Sequence, residues 1–428
     1  MTWNVGPYGL GYVLTERPKR GGRGVGLKDS LSKTRQTVLR AENGEGFAPS
    51  GATKRVFRNP REGKGPRKGY PDDTKMSLHV ATSSNLHIIN AVDGTVFHTT
   101  SCIGRSVARI GTSDCILSSM KREAAIYMWL SGQKAPYVKC RLAETMGPLL
   151  SSPDGTYIFA GGSSGTIYVW ESWSGLLVRS FHGHHKAVRC LQMTDDFGFL
   201  LSGGDDAVLS AWPILDIVNV DDDGSTAIRD FHSWTDHLLG ITDLHVGRGG
   251  IRSRAFTASV DRTARIFEIC TKQLLFTIAC DVFLTTIVVS PSESIMFLGA
   301  GDGIIIGVDL LFVAAQSYTT AGEVVMDTGE GRFKLTGHSQ TVTGLILSDG
   351  GTILLSSSED GTIRVWDYRS SQCVNVIDLK SPVSCIILTE GFEPSMIANA
   401  AKEKRVCPFP PLKKFPMVRR GAPLAPSL

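Results

Sequence analysis

The chain has 428 residues, 42% of them hydrophobic and 8% aromatic, enough to bury a large core and too many for a disordered polymer. Its 45 basic and 41 acidic residues leave a net charge of +4, which gives the chain as a whole no strong preference for nucleic acid or membrane. The 46 glycines exceed ordinary usage and follow no collagen period, so they predict many tight turns between short strands.

The first fifteen residues are broken by Gly and Pro and lack the apolar run of a secretory signal. Residues 1–75 read as a disordered basic leader. They hold 16 Lys and Arg against 7 Asp and Glu, a net of +9, with 13 of the glycines and 6 of the 19 prolines. Its basic runs include Arg20 and Arg23, Lys54 and Arg55, and Arg67 and Lys68. Such runs suit nonspecific contact with RNA phosphates, a nuclear import signal or a plain solvated tail, and the sequence leaves all three open. The Gly63–Gly69 stretch fails the spacing of a phosphate-binding loop. Met76 stands directly before the first strand and is an alternative start.

From residue 76 to 390 the texture changes. An apolar strand, a Ser/Gly cluster, a turn Asp and an alternating strand ending in Trp recur, most clearly from Ile353 to Trp366 and Asp367. The closing slot is filled by Ile89, Trp129, Trp170, Trp212, Phe267, Val308 and Trp366. Intervals are 40, 41, 42, 55, 41 and 58 residues, a repeat of about 40–45 with two insertions. The turn residue sits six positions before the slot in Asp206/Trp212, Asp261/Phe267, Asp302/Val308 and Asp360/Trp366.

This pattern resembles the WD repeat and implies an all-β fold, a seven-bladed β-propeller of four-stranded blades. The first copy lacks an innermost strand, and the run Pro382–Leu388 supplies one with nothing after it. The expectation is that it completes the first blade and closes the ring. The resemblance also implies His–Ser/Thr–Asp–Trp tetrads: His184, Ser202, Asp206 and Trp212, then His338, Ser356, Asp360 and Trp366. A third, His237, Thr257, Asp261 and Phe267, is incomplete because Phe has no N–H to donate.

Little else suggests chemistry. His182, His184 and His185 cluster, but a tetrad His with exposed neighbours explains them. Asp205 and Asp206 adjoin on a tight turn and point apart, which does not suit acid–base catalysis. Nine scattered cysteines without a CxxC pair read as reduced, buried thiols, not a zinc site. No cofactor is implied, and no polar cluster is expected to converge on the central channel. Gly303–Ala315, the most apolar run, is too short to span a membrane and contains Asp309.

The insertions, Pro213–Ser233 and Leu311–Arg332, read as surface loops or docking loops. The first carries an acidic tip, Asp221, Asp222 and Asp223. Trp234, just beyond it, is either a partner anchor or a side chain packed under its own loop.

One passage narrows the family. Trp234-Thr-Asp-His237-Leu-Leu-Gly-Ile241-Thr-Asp-Leu-His245 resembles the WD-repeat subunit of the Rix complex, which acts on the large-subunit pre-ribosome. Cys280-Asp281-Val282, Met296-Phe297 and Val308-Asp309-Leu310 agree with it. The resemblance implies a non-enzymatic factor joined to a Rix (PELP-type) scaffold, a TEX-type helical-repeat protein and a midasin-type AAA ATPase on pre-60S particles. It implies a nuclear location, nucleolar and nucleoplasmic, and a part in removing the second internal transcribed spacer. Some members are linked to replication licensing or cell proliferation. A generic adaptor, such as a ubiquitin-ligase substrate receptor, is the competing reading. Animal members continue into a heptad-like helix, whereas residues 391–428 here are a short tail rich in Pro, Lys and Arg, so weak self-association is expected.

Overall fold

The computed structural model describes residues 77–91, 93–101, 104–131, 133–219, 228–316, 324–325, 331–348, 351–389 and 408–414. Seven antiparallel blades follow one another. Blade 2 comprises Gly104–Arg109, Cys115–Met120, Ala125–Leu130 and Val138–Arg141. Blade 3 is built of Met146–Ser151, Tyr157–Gly162, Thr166–Glu171 and Leu177–His182, and blade 4 of Val188–Met193, Phe199–Gly204, Leu209–Pro213 and His232–Trp234. Blade 5 has Ile241–Val246, Arg254–Ser259, Thr263–Glu268 and Gln273–Ala279. Blade 6 has Leu284–Val289, Ile295–Ala300, Ile305–Asp309 and Arg332–Leu335, and blade 7 Val342–Leu347, Ile353–Ser358, Thr362–Asp367 and Gln372–Asp378.

Blade 1 takes three strands from one end of the repeat region, Ser77–Thr82, Asn85–Asn90 and Val96–Ser101, and its innermost strand, Val383–Thr389, from the other. Ser77 faces Thr389 and Leu78 faces Leu388 across this antiparallel closure, and the Ser77 and Thr389 hydroxyls lie 2.7 Å apart. The closure gives the inner edge of blade 1 a partner that it would otherwise lack.

The core is divided into seven apolar clusters, one between each pair of neighbouring blades. The repeat's slot residue explains the division. Trp129, Trp170, Trp212, Phe267, Val308, Trp366 and Ile89 all lie on third strands and are buried. Each packs in the cluster shared with the preceding blade. All seven innermost strands carry a bulge where they meet the second strand, as at Ile241/Asp243 and Leu284/Thr286. The Thr242 hydroxyl, at such a bulge, donates to Leu284 O (3.0 Å), and that of Thr285 donates to Val342 O (2.6 Å), tying one blade to the next.

The insertions differ from simple loops. The first opens with a short helix, Ile214–Val218, whose Ile214 and Ile217 are buried between blades 3 and 4. The acidic tip Asp221, Asp222 and Asp223 lies outside the described residues, as do Arg20, Arg23, Lys54, Arg55, Arg67 and Lys68. The second opens with the helix Leu310–Gln316, capped by Asp309, whose Oδ1 accepts the N–H groups of Leu311 (2.9 Å) and Phe312 (3.2 Å). Farther on, Val324–Val325 pairs in parallel with Thr277 and Ile278, adding a fifth strand to blade 5. No helix among the described residues is long and apolar enough to cross a membrane.

Candidate functional site

The tetrads are the most ordered polar feature of the ring. In blade 4, Trp212 Nε1 donates to Ser202 Oγ (2.8 Å), His184 Nε2 lies 2.7 Å from the same oxygen, and His184 Nδ1 lies 3.1 Å from Asp206 Oδ1. Blade 7 repeats the arrangement: Trp366 to Ser356 (2.8 Å), His338 to Ser356 (2.8 Å) and His338 to Asp360 (3.0 Å). In blade 5, His237 Nδ1 lies 2.9 Å from Asp261 Oδ2 and its Nε2 lies 2.7 Å from Thr257 Oγ1. Phe267 contributes packing only, and Thr257 reaches the Arg265 carbonyl instead (3.4 Å).

These networks hold charge in place. Burial opposes ionisation of Asp360, but donors from Thr362, the Ser339 amide and His338 hold its carboxyl down at about 2. Asp206 and Asp261 are lowered by the same balance: burial raises them, and bonds from His184 and His237 outweigh it. Burial also lowers the His338 imidazole, with Asp360 partly offsetting the effect. With the carboxylate accepting at Nδ1, the network assigns Nε2 as the acceptor of the serine hydroxyl. His185 and His182 are exposed beside buried His184, and His185 supplies only its backbone N–H to Asp206. Asp205 instead pairs with Arg189 (2.6 Å).

Trp234 is only 4% exposed. It belongs to the outer strand of blade 4, donates to Lys272 O (3.0 Å) and packs 5.6 Å from the Phe267 ring. A partner-anchor role for its side chain is therefore corrected to a packing role. It fills the space that the smaller Phe267 leaves. The exposed large apolar residues of the same passage are Leu238 (83%) and Leu239 (52%), with Val260 and Phe283 exposed nearby. Val260 N donates to Gly240 O (3.1 Å) and Cys280 N to Arg262 O (2.8 Å), so the turns that carry these side chains adjoin on the tetrad face.

The channel corrects a second expectation, because polar groups do line it. They include Arg105, Arg189, Asp243 and His245. Asp243 is committed to structure: Thr286 Oγ1 (2.7 Å) and the amides of Ile287 (3.0 Å) and Leu244 (2.9 Å) donate to it, bridging blades 5 and 6, while burial raises its carboxyl. Burial pushes the His245 imidazole down to about 4, so it is neutral at physiological pH. The thiols are also mixed: Cys115, Cys140 and Cys190 are buried, but Cys270 and Cys373 are exposed. No group of metal-ligating side chains occurs among the described residues.

Sequence reasoning missed one element entirely. Pro408–Lys414 lies along blades 2 and 3. Leu412 is buried in their shared cluster, its N–H donates to Cys140 Sγ (3.2 Å), and Lys413 N donates to Gly175 O (2.8 Å). Trp170 Nε1 donates to Lys413 O (2.9 Å). The reason is local. Ala160 occupies the register position of Ser202 and Ser356, so blade 3 offers the indole no hydroxyl, and a buried donor without a partner costs about 1–3 kcal/mol. Leu142 stands at the histidine's position, 18 residues before Ala160 as His184 is before Ser202, and Glu144 beside it takes up the polar contacts. Glu144 accepts from Ser163 Oγ (2.9 Å), Ser164 N (2.6 Å) and Tyr168 OH (2.8 Å). The available signals were Ala160 itself and Pro410-Pro411-Leu412 in a tail otherwise read as featureless.

The blades and tetrads define a WD-repeat β-propeller, and the family description "WD domain, G-beta repeat" matches residues 149–171, 175–212 and 329–367. Within that class the chain is 38% identical over 242 residues to WD repeat-containing protein 18 of Bos taurus, covering 56% of this chain and 54% of that protein. It is 33% identical over 261 residues to pre-rRNA-processing protein IPI3 of Yarrowia lipolytica, 60% of each. It is 28% identical over 316 residues to protein ROOT INITIATION DEFECTIVE 3 of Arabidopsis thaliana, 70% of this chain and 68% of that protein. The match spans little more than half the length of the first of these. The chain is thus similar to the WD repeat-containing protein 18 and IPI3 proteins, the likeness that the Trp234–His245 passage suggests.

Proposed function

We propose that the chain is a non-enzymatic interaction platform in a Rix-type complex that matures the large ribosomal subunit. The observation that carries this reading is the 33% identity to a pre-rRNA-processing protein across 261 residues. The polar residues of the repeat support it, because the tetrads and the blade 5–6 bridge commit many of them to structure. The rigid ring presents Leu238, Leu239, Val260 and Phe283 on one face, where a protein partner gains apolar burial at little ordering cost. Partners under this reading are a Rix (PELP-type) scaffold, a TEX-type helical-repeat protein and a midasin-type AAA ATPase, met in the nucleolus and nucleoplasm. Residues 76–428 hold 29 basic and 34 acidic residues, so RNA contact is mostly indirect, with direct contact confined to Arg20, Arg23 and the other basic residues of the leader.

Affinity purification of the full chain, with sequencing of bound protein and RNA, tests the reading. Recovery of the scaffold, the helical-repeat protein and 27S-like precursor RNA is expected. Ubiquitin-ligase subunits in their place would overturn it.

A further inference from the structure

We infer that the groove between blades 2 and 3 is a binding site for extended proline–proline–aliphatic peptides, which residues 408–414 fill in cis. A partner carrying such a segment would enter by displacing the tail. The bound tail shows what the groove recognises. Leu412 enters the apolar cluster of blades 2 and 3 beside the outer strand Val138–Arg141. The next residue presents its carbonyl to the Trp170 indole and its N–H to Gly175 O. Pro410 and Pro411 precede them, hold the segment extended and bring no N–H that needs a partner. The groove is also shaped for close backbone approach: Gly175 has φ +64°, and a Cβ there would meet Pro411 O at 2.5 Å.

Two rings extend the groove outward. Trp173 is 65% exposed and Tyr137 is 40% exposed, and together with Pro408, Phe409, Pro410 and Pro411 they line one surface hollow. Flat aromatic walls beside a proline-rich segment are a recurring mode of peptide recognition. The tail's hold is slight beside that of a blade strand. Its contacts include one fully inserted side chain, the packed Phe409 ring and hydrogen bonds at Leu412 and Lys413, none of these bonds a ladder with a neighbouring strand. Being part of the same chain, the tail competes at an effective concentration on the order of millimolar, so an outside peptide binds well only once the tail is weakened.

The probe is a fluorescently labelled peptide of residues 408–414, titrated against the full chain and against its Leu412→Asp variant. The variant should bind roughly tenfold or more tightly than the parent. The same peptide with aspartate in place of leucine should not bind, and adding Trp173→Ala should weaken binding several-fold. A folded Leu412→Asp variant with no affinity for the peptide would overturn the proposal. Should that variant fail to fold, hydrogen exchange on the parent decides. A Lys413 amide exchanging much faster than the Tyr168 amide supports a releasable tail, and equal protection refutes it.

Discussion

Replacing Ser356 by Ala tests whether the tetrads hold the blades or merely occupy them. Ser356 is fully buried, and its single oxygen serves two neighbours. It accepts from Trp366 Nε1 at 2.8 Å and donates to His338 Nε2 at 2.8 Å. Alanine removes both bonds and leaves a buried donor and a buried acceptor in a site too tightly packed to admit water easily. At about 1–3 kcal/mol for each stranded group, the expected loss is roughly 2–5 kcal/mol. Urea unfolding followed by Trp fluorescence measures it. The same change in a Trp366→Phe background should cost about 1 kcal/mol less, because one of the stranded groups is already gone. A Ser356→Ala chain within about 0.5 kcal/mol of the parent would show that the network is incidental to the packing of Trp366.

Truncation after Ser381 removes the strand that closes blade 1, so the whole ring should melt at a lower temperature, and a truncated chain that melts like the parent refutes the closure. Phe267→Trp completes the tetrad of blade 5 on paper, yet Trp234 already fills that space, so a loss of about 1–3 kcal/mol in denaturant unfolding is expected instead of a gain. Asp243→Ala strands the Thr286 hydroxyl and the Ile287 amide at the blade 5–6 junction, with an expected loss of about 2–4 kcal/mol by the same measurement. Acid should destabilise the ring. Burial lowers His79 to about 3 and His245 to about 4, and lowers His87 and His338 as well. The unfolded chain therefore binds more protons as pH falls below about 6.5, and stability present above that pH is progressively lost. A urea midpoint unchanged between about pH 7 and 4.5 contradicts this.

The ring was legible in the sequence because its repeat is set by one mechanical need. Each third strand must send a large apolar residue into the preceding blade, and the turn that reaches it has a fixed length. Hence the six-residue offset from Asp206, Asp261, Asp302 and Asp360 survives even where the slot is Phe267 or Val308. The closing strand was legible for a related reason: an innermost-strand pattern with no following blade has one free edge to join. The features outside the repeat were harder to read. Ile214–Val218 is too short to show a helical period, and Val324–Val325 pairs across to a neighbouring blade with no local pattern. Trp234 looked like an anchor because Trp is common in interfaces, but only the three-dimensional pairing with Phe267 shows that one ring compensates for the other. The tail was missed because Leu412 is bound by residues more than 200 positions away.

Among the described residues, blades 4, 5 and 7 carry His–Asp networks, and three of the blades without them are completed in other ways. Blade 1 is sealed by a strand from the far end of the repeat region. Blade 3 lacks its serine and histidine and instead has Glu144 and the Lys413 carbonyl. Blade 6, with Leu298 and Val308 in place of the hydroxyl and the Trp, runs directly into the helix capped by Asp309. At blade 3 the missing serine leaves the buried Trp170 indole a donor that the Lys413 carbonyl satisfies. The same logic separates two kinds of surface. Over blades 4, 5 and 7 the networks tie down the adjoining loops, as where Asp261 accepts the Leu238 amide beside the exposed Leu238 and Leu239 side chains. At blade 3 the segment 408–414 completes the site, and under the inference above it is displaceable. Under the proposed function the first kind of surface would bind tightly and the second would make binding conditional; they lie on different blades, where substitutions can separate them.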